Sequence, residues 1–151
     1  MAHRAEQVLD AVAYLVRARV EASGVKVFTH RRFTLDPEQD DLPAITIDYG
    51  EDRKADSSVL GRITSLLSVE CTAVVMAPLE ADLRATLLEL RAQIHRAVMT
   101  DQHLGLPDVV SATFYGGAGA PAVDADGEQL VGELTSTWLV LYEMSLSDPA
   151  N

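Results

Sequence analysis

Positive charge and cysteine are both scarce in this sequence. Its 151 residues include 12 Lys and Arg against 23 Asp and Glu, which gives a formal net charge of -11. A surface this acidic repels phosphate backbones, which argues against a protein that grips nucleic acid but not against one that nucleic acid passes without adhering. Cys71 is the sole cysteine, so an intrachain disulfide and a cysteine-based metal cluster are both excluded.

Long apolar runs are absent as well. No stretch approaches the roughly 18 consecutive apolar residues that a membrane span requires, and the N-terminal residues lack the hydrophobic region of a signal peptide. We therefore expect a soluble protein that is cytosolic when made. Apolar residues at 48% and charged residues at 23% are typical of a globular chain. We predict one domain over residues 1–146 and a short C-terminal tail over 147–151.

Two segments have the period of an amphipathic helix. The longer runs from Leu79 to Asp101, and its apolar residues fall on one stripe: Leu83, Leu87, Leu90, Ile94 and Val98. Pro78 suits the first turn of that helix, because its missing N–H costs nothing there. The other helix is predicted over Arg4 to Glu21, before the helix-ending pair Ser23-Gly24.

Five segments alternate between apolar and polar residues and are predicted as strands. They are Val25 to Phe33, Ala44 to Tyr49, Arg62 to Met76, Val109 to Tyr115 and Leu130 to Leu146. Short polar connections favour antiparallel hairpins between consecutive strands. The sequence therefore predicts an α+β two-layer sandwich, with a mainly antiparallel four- to five-stranded sheet, two helices on one face, and the order α-β-β-β-α-β-β.

The other sheet face and the connections are the predicted contact regions. That face is predicted to carry apolar residues among polar ones, namely Leu66, Val74, Leu139 and Leu141, and to be either solvated or pressed against another chain. The long strand from Arg62 is expected to project at one end. Glu51 to Ser58 and Gly116 to Glu128 are predicted as polar, flexible loops.

An acidic loop and a glycine-rich loop each match a known site only in part. When Gly127 is set at the sixth position of a calcium-binding EF-hand loop, Asp124, Asp126 and Glu133 take ligand positions, but Ala122 at the first position cannot bind the ion. We therefore expect a plain acidic turn. The glycines Gly116, Gly117 and Gly119 follow a strand, but no helix opens after them, so a flexible loop is expected in place of a phosphate site.

The remaining reactive residues are also expected to be structural or solvated. His95 and His103 are too far apart in register to share a helix face, and Cys71 lies on the apolar side of its strand. The basic pairs Arg31-Arg32 and Arg53-Lys54 lack aromatic neighbours, so they are expected to face a partner or solvent. We predict no catalytic, cofactor-binding or metal-binding residue, no cofactor, and no enzymatic activity.

Four features in a fixed order carry a family resemblance. They are the helix Arg4 to Glu21, the strand start Leu42-Pro43-Ala44-Ile45-Thr46-Ile47, the helix from Leu83-Arg84 through Leu90-Arg91-Ala92-Gln93-Ile94 to Asp101, and the late strand Trp138-Leu139-Val140-Leu141-Tyr142. In this order the chain resembles the phage tail terminator family, the small neck-proximal proteins of long-tailed bacteriophages and related prophage particles. The resemblance covers nearly the whole chain and has no catalytic signature.

The resemblance implies a structural role in a virion. Members of the family form a ring, usually of six subunits, that caps the tail tube, stops its polymerisation and joins the tail to the head connector. The implied partners are further copies of the chain, the tail tube protein and a connector or neck protein, with no membrane and no sequence-specific DNA. The implied location is the neck-proximal end of the tail, after assembly in the host cytoplasm. The loops 51–58 and 116–128 are the expected contacts.

Two other functions stay open from the sequence. One is a different phage neck protein, such as a head-completion or tail-completion factor, which would bind a portal and not a tube. The other is a small oligomeric enzyme or ligand-binding domain with its site between subunits. A concave pocket with convergent titratable groups would favour the last of these, and flat repetitive interfaces would favour a ring subunit.

Overall fold

The computed structural model describes residues 2–29, 42–56, 61–124 and 129–151. Within these ranges the chain forms two α-helices and a six-stranded sheet. Their order is α1 (Arg4–Val20), β1 (Lys26–Thr29), β2 (Ala44–Asp56), β3 (Arg62–Ala77), α2 (Glu80–Val98), β4 (Val110–Ala118), β5 (Ala122–Asp124) and β6 (Leu130–Ser145). Both helices pack on one face of the sheet around a single buried core, which confirms the predicted α+β fold.

The sheet has the order β1-β2-β3-β6-β4, and β5 pairs with β6 beyond the end of β4. Every described pairing is antiparallel except one, since β1 runs parallel to β2 with Lys26 opposite Ala44. The predicted hairpin between these two strands is therefore wrong. Parallel neighbours need a connection of about a dozen residues or more, and residues 30–43 supply that length. The predicted strand residues 30–33 lie outside the described ranges.

The strands β3 and β6 form the long centre of the sheet. They pair along their full length, from Arg62 opposite Ser145 to Ala77 opposite Leu130. The predicted loop over Glu51 to Ser58 is wrong as far as Asp56, because β2 continues to that residue and pairs with β3 there. The end of β3 near Arg62 therefore does not project as a single strand, because β2 and β6 lie on either side of it. Residues 57 and 58 lie outside the described ranges.

The second predicted loop, Gly116 to Glu128, is also partly strand. β4 continues through a bulge to Ala118, and β5 adds three residues beside β6. Gly117 has a φ of +119° at the bulge, a conformation that residues with a Cβ rarely adopt. Residues 125–128 of the predicted loop lie outside the described ranges.

Helix α2 lies directly on the sheet through its predicted stripe. All five stripe residues are buried: Leu83, Leu87, Leu90, Ile94 and Val98. The closest approach is at Gly132 of β6, where an added Cβ would lie 2.7 Å from Cδ2 of Leu83 and 3.0 Å from Cδ1 of Leu87. Glycine at this position therefore sets how near the helix can come. Neither helix in the described ranges has the length and hydrophobicity to cross a membrane.

Polar contacts join the chain segments at the end of the sheet where β3 begins and β6 ends. The hydroxyl of Tyr142 donates a hydrogen bond to Oδ2 of Asp52 at 2.6 Å, which ties the extension of β2 to β6. Burial, followed by this carboxylate, raises the pKa of Tyr142. Arg4 donates to the carbonyl oxygen of Glu143 at 2.6 Å, and its backbone N–H donates to the carbonyl oxygen of Pro149 at 2.9 Å. The C-terminal tail thus contacts the start of α1.

Candidate assembly surfaces

The sheet face opposite the helices carries carboxylates across its middle. We call it the open face. Asp48 of β2 lies opposite Glu70 of β3, which in turn lies opposite Thr137 of β6, and both acids are exposed. Glu133 is exposed on the same face, opposite Val74. Like charges directly opposite each other destabilise a strand pair, so the Asp48–Glu70 pair is not explained by stability.

A row of threonines lies between the Asp48–Glu70 pair and Glu133 on the open face. Thr46, Thr72 and Thr135 form a row across three strands, and the hydroxyls of Thr72 and Thr135 lie 2.8 Å apart. One end of the face is apolar. There Phe114 is 52% exposed and lies opposite Leu139.

The four apolar residues that strand alternation predicts for the open face do lie on it. Leu66 pairs with Leu141, and both are half-buried, as is Leu139. Val74 is 9% exposed. The face therefore combines a small apolar end with an acidic, hydroxyl-rich middle, and it can meet either solvent or another chain.

A second surface lies on the outward side of α2. It is a shallow groove of about 370 Å³, lined by Leu88, Arg91, Ala92, His95 and Arg96. Leu88 is 49% exposed, and Arg96 lies 3.7 Å from Glu89 at the border of the groove. We call this the α2 groove. It places two guanidinium groups and an imidazole beside an exposed apolar side chain.

Tyr115 of β4 holds one of these guanidinium groups in place. Arg91 donates a hydrogen bond to the Tyr115 hydroxyl, and its guanidinium carbon lies 5.7 Å from the centre of the Tyr115 ring. The Tyr115 ring lies 5.6 Å from that of His95 and 5.2 Å from that of Trp138. Trp138 is fully buried, and its indole N–H has no hydrogen-bond partner among the described residues. The groove thus rests on a packed aromatic layer.

Sequence reasoning missed the α2 groove. Its residues follow a second helical stripe, with Leu88, Arg91, Ala92 and His95 at i, i+3, i+4 and i+7. That spacing is a signal from which the groove could be predicted. The contribution of Tyr115 could not be predicted from the sequence, because only the folded sheet brings β4 next to α2.

The predicted reactive residues are dispersed. His95 packs on the aromatic layer of the groove, whereas Nδ1 of His103 donates to the carbonyl oxygen of Val110 at 2.9 Å in the turn after α2. Cys71 is fully buried in the core, and burial raises the pKa of its thiol to about 12. The Asp101 carboxylate accepts the backbone N–H groups of His103 and Gly105, and these bonds lower its pKa.

The partial motifs fall on strands. Asp124 lies in β5 and Glu133 in β6, so strands flank the acidic turn, and Asp126 lies outside the described ranges. Arg53 and Lys54 are exposed on β2, and Arg31-Arg32 also lies outside those ranges. Among the described residues, no group of three or more His, Cys, Asp or Glu side chains could hold a metal ion.

Comparison with known proteins gives a structural match and no sequence match. No protein-family model matches this chain, and neither does any curated protein. The chain is similar to one from a solved structure described as the virion of a native gene transfer agent particle. The TM-score is 0.62 at 13% identity, over 90% of this chain and 94% of that one. At this identity the likeness shows a shared fold over nearly the full length of both chains.

Proposed function

We propose that this chain is a structural protein of a phage-like virion, with a role in assembly and not in catalysis. The observation that carries the proposal is the full-length fold shared with a chain of a gene transfer agent virion. Because the two chains cover each other almost completely, the shared unit is the whole domain and not a common substructure. The resemblance of the element order to phage tail terminators supports the same class.

We further propose that the chain acts as a tail terminator. In this role its copies form a closed ring, six-fold as in the resembled family, at the neck-proximal end of the tail tube. The ring stops polymerisation of the tube and then presents a surface to the head connector. A closed ring needs two different contact patches on each subunit. The α2 groove lies beside β4, and the exposed part of β2 lies on the other side of β3 and β6.

The open face suits the lumen of such a ring. Its middle rows present Glu70 and Glu133 among threonines. Carboxylates repel the DNA phosphates, and this repulsion would let DNA pass without adhering during ejection. The chain would then need no DNA-binding residue.

Polymerisation of purified tail tube protein tests the proposal. The tube protein is allowed to polymerise with and without this chain, and tube lengths and tube ends are compared by electron microscopy. We expect shorter tubes that carry an extra ring at one end, with heat-unfolded chain as the inactive control. Unchanged lengths and bare tube ends would contradict the terminator role. If the chain then bound isolated head connectors, a head-completion role would replace it.

A further inference from the structure

The α2 groove has the chemistry of an acid-binding surface in a protein that is acidic overall. It places Arg91, Arg96 and His95 together, although the chain has a net charge of -11. Leu88 adds an exposed apolar contact to these groups. A partner segment with carboxylates beside an apolar or aromatic residue would complement both features.

Arg91 is already held in position for such a partner. Its guanidinium donates to the Tyr115 hydroxyl and lies over the ring of the same residue. Tyr115 is in turn fixed against the buried Trp138. A guanidinium that is ordered before binding loses less conformational entropy when a carboxylate arrives, and its planar fork can bind both carboxylate oxygens.

The chain itself carries a segment with the matching chemistry. β1 pairs with Ala44 to Ile47 of β2, and β2 continues to Asp56 beyond that pairing. In the continuation, the register steps from Tyr49 opposite Val69 to Asp52 opposite Leu67, so Gly50 and Glu51 share one position opposite β3. This is a β-bulge, and such bulges re-aim side chains. We call residues 48–51 the acidic bulge.

The acidic bulge is exposed. Asp48, Tyr49 and Glu51 all face solvent, and Tyr49 is 45% exposed. Asp48 lies opposite Glu70 on the open face, whereas Tyr49 lies opposite Val69 on the helix-covered face. The carboxylates of Asp48 and Glu51 are groups that two guanidiniums would accept.

The α2 groove and the acidic bulge lie toward opposite edges of the sheet. The groove adjoins β4 at one edge, whereas β3 and β6 separate β2 from β4. Because of this separation, the groove and the acidic bulge can meet between two copies in a head-to-tail contact. Such contacts are the kind that closes into a ring.

We infer that the α2 groove of one copy receives the acidic bulge, residues 48–51, of a second copy of this chain. The inference rests on the proposed ring and names the contact between its subunits. Arg91 and Arg96 pair with Asp48 and Glu51 of the neighbour.

Charge reversal with rescue tests this contact. One variant carries Arg91→Glu and Arg96→Glu, a second carries Asp48→Arg and Glu51→Arg, and a third combines all four changes. Self-association is followed by native mass across a concentration series, and folding is checked by thermal unfolding. We expect each double variant to associate at least about tenfold more weakly, and the combined variant to recover most of that loss.

Two matched variants control for a general effect of charge. Arg84→Glu changes an exposed arginine on the same helix outside the groove, and Asp10→Arg changes an exposed acid on α1. Both are expected to associate like the unchanged protein. If a reversed double variant does not fold, the neutral pairs Arg91→Gln with Arg96→Gln and Asp48→Asn with Glu51→Gln replace it and should weaken association less.

Three results would overturn the inference. They are unchanged association of the double variants, failure of the combined variant to recover, and a chain that stays monomeric both alone and on tail tubes. Tube length is measured on the same variants. If reversal leaves both the ring and tube arrest intact, the contact is wrong while the terminator role stands. If association depends on these charges but tubes are not arrested, the contact stands and the terminator role fails.

Discussion

The helix-covered face and the open face of the sheet are built from the same strands but carry different side chains. On β3, Leu67 and Cys71 are fully buried beneath the helices, whereas their neighbours Leu66 and Glu70 are half-buried and exposed on the open face. The covered face is apolar and closely packed. The open face retains an unfavourable pair of opposed acids. The comparison indicates that stability is concentrated on one face, which leaves the other available for partners.

Adjacent leucines on β3 test this comparison most strongly. Leu67→Ala removes a fully buried side chain and should reduce the free energy of unfolding by about 2–5 kcal/mol. Leu66→Ala, on the open face, should cost less than about 1 kcal/mol. Urea unfolding of both variants measures the difference. Equal losses would mean that the open face is part of the folding core.

The closest contact between helix and sheet gives the next largest effect. Gly132→Ala would place a Cβ against Leu83 and Leu87, so we expect a loss of about 1–3 kcal/mol in the free energy of unfolding. Gly119→Ala is the matched control, because the nearest atom to its Cβ would be 4.0 Å away. Thermal unfolding compares the two. A stable Gly132→Ala variant would show that α2 can shift outward at little cost.

The hydrogen bond between Tyr142 and Asp52 is expected to stabilise the end of the covered face. Tyr142→Phe should lower the free energy of unfolding by about 1 kcal/mol at neutral pH, because the hydrogen bond to Asp52 is lost. Tyr14→Phe, at a 73% exposed site, should change it little.

Burial of Tyr142, followed by its hydrogen bond to Asp52, predicts a pH dependence of stability. The pKa of Tyr142 is raised in the folded state, so its contribution is fully present below the ordinary tyrosine pKa of 10.0 and is lost as the pH rises above that value. Unfolding measured from pH 8 to 11 should show a steeper alkaline loss in the unchanged protein than in Tyr142→Phe. Parallel curves would contradict this assignment.

The smallest expected effect on stability is on the open face. Glu70→Lys replaces a like-charge pair with Asp48 by an opposite-charge pair, and should raise the free energy of unfolding by about 0.2–1 kcal/mol. The same change should increase retention of the assembled protein on immobilised DNA at low salt. Asp10→Lys on α1 makes the same charge change away from the sheet. Equal retention of both variants would argue against the open face as the DNA-facing surface.

The sequence predicts the covered face better than the rest of the molecule. The buried stripe of α2 and the alternation of β3 follow from apolar period, which the helix and strand geometries impose locally. The second half of β2 is not predicted as a strand, because Glu51, Asp52 and Arg53 show no alternation of apolar and polar residues. That segment is held by the ladder to β3 and by Tyr142, which lies far along the chain. Contacts of this kind leave no local pattern.

The candidate surfaces were only partly predictable for the same reason. The residues of the open face follow from strand parity, since alternate residues must face away from the helices. The α2 groove needs Tyr115 from β4 to order Arg91, and this neighbour is set by the strand order. The parallel pairing of β1 with β2 likewise depends on a long connection and not on any residue within either strand.

The position of the chain on assembled tail tubes is the decisive test of the tail terminator role. Tubes assembled with the chain are imaged by cryo-electron microscopy, and end-on class averages are calculated for the two tube ends. We expect a single closed ring at one end, six-fold in projection, with the open faces toward the lumen. A chain spread along the tube wall, or absent from both ends, would contradict it.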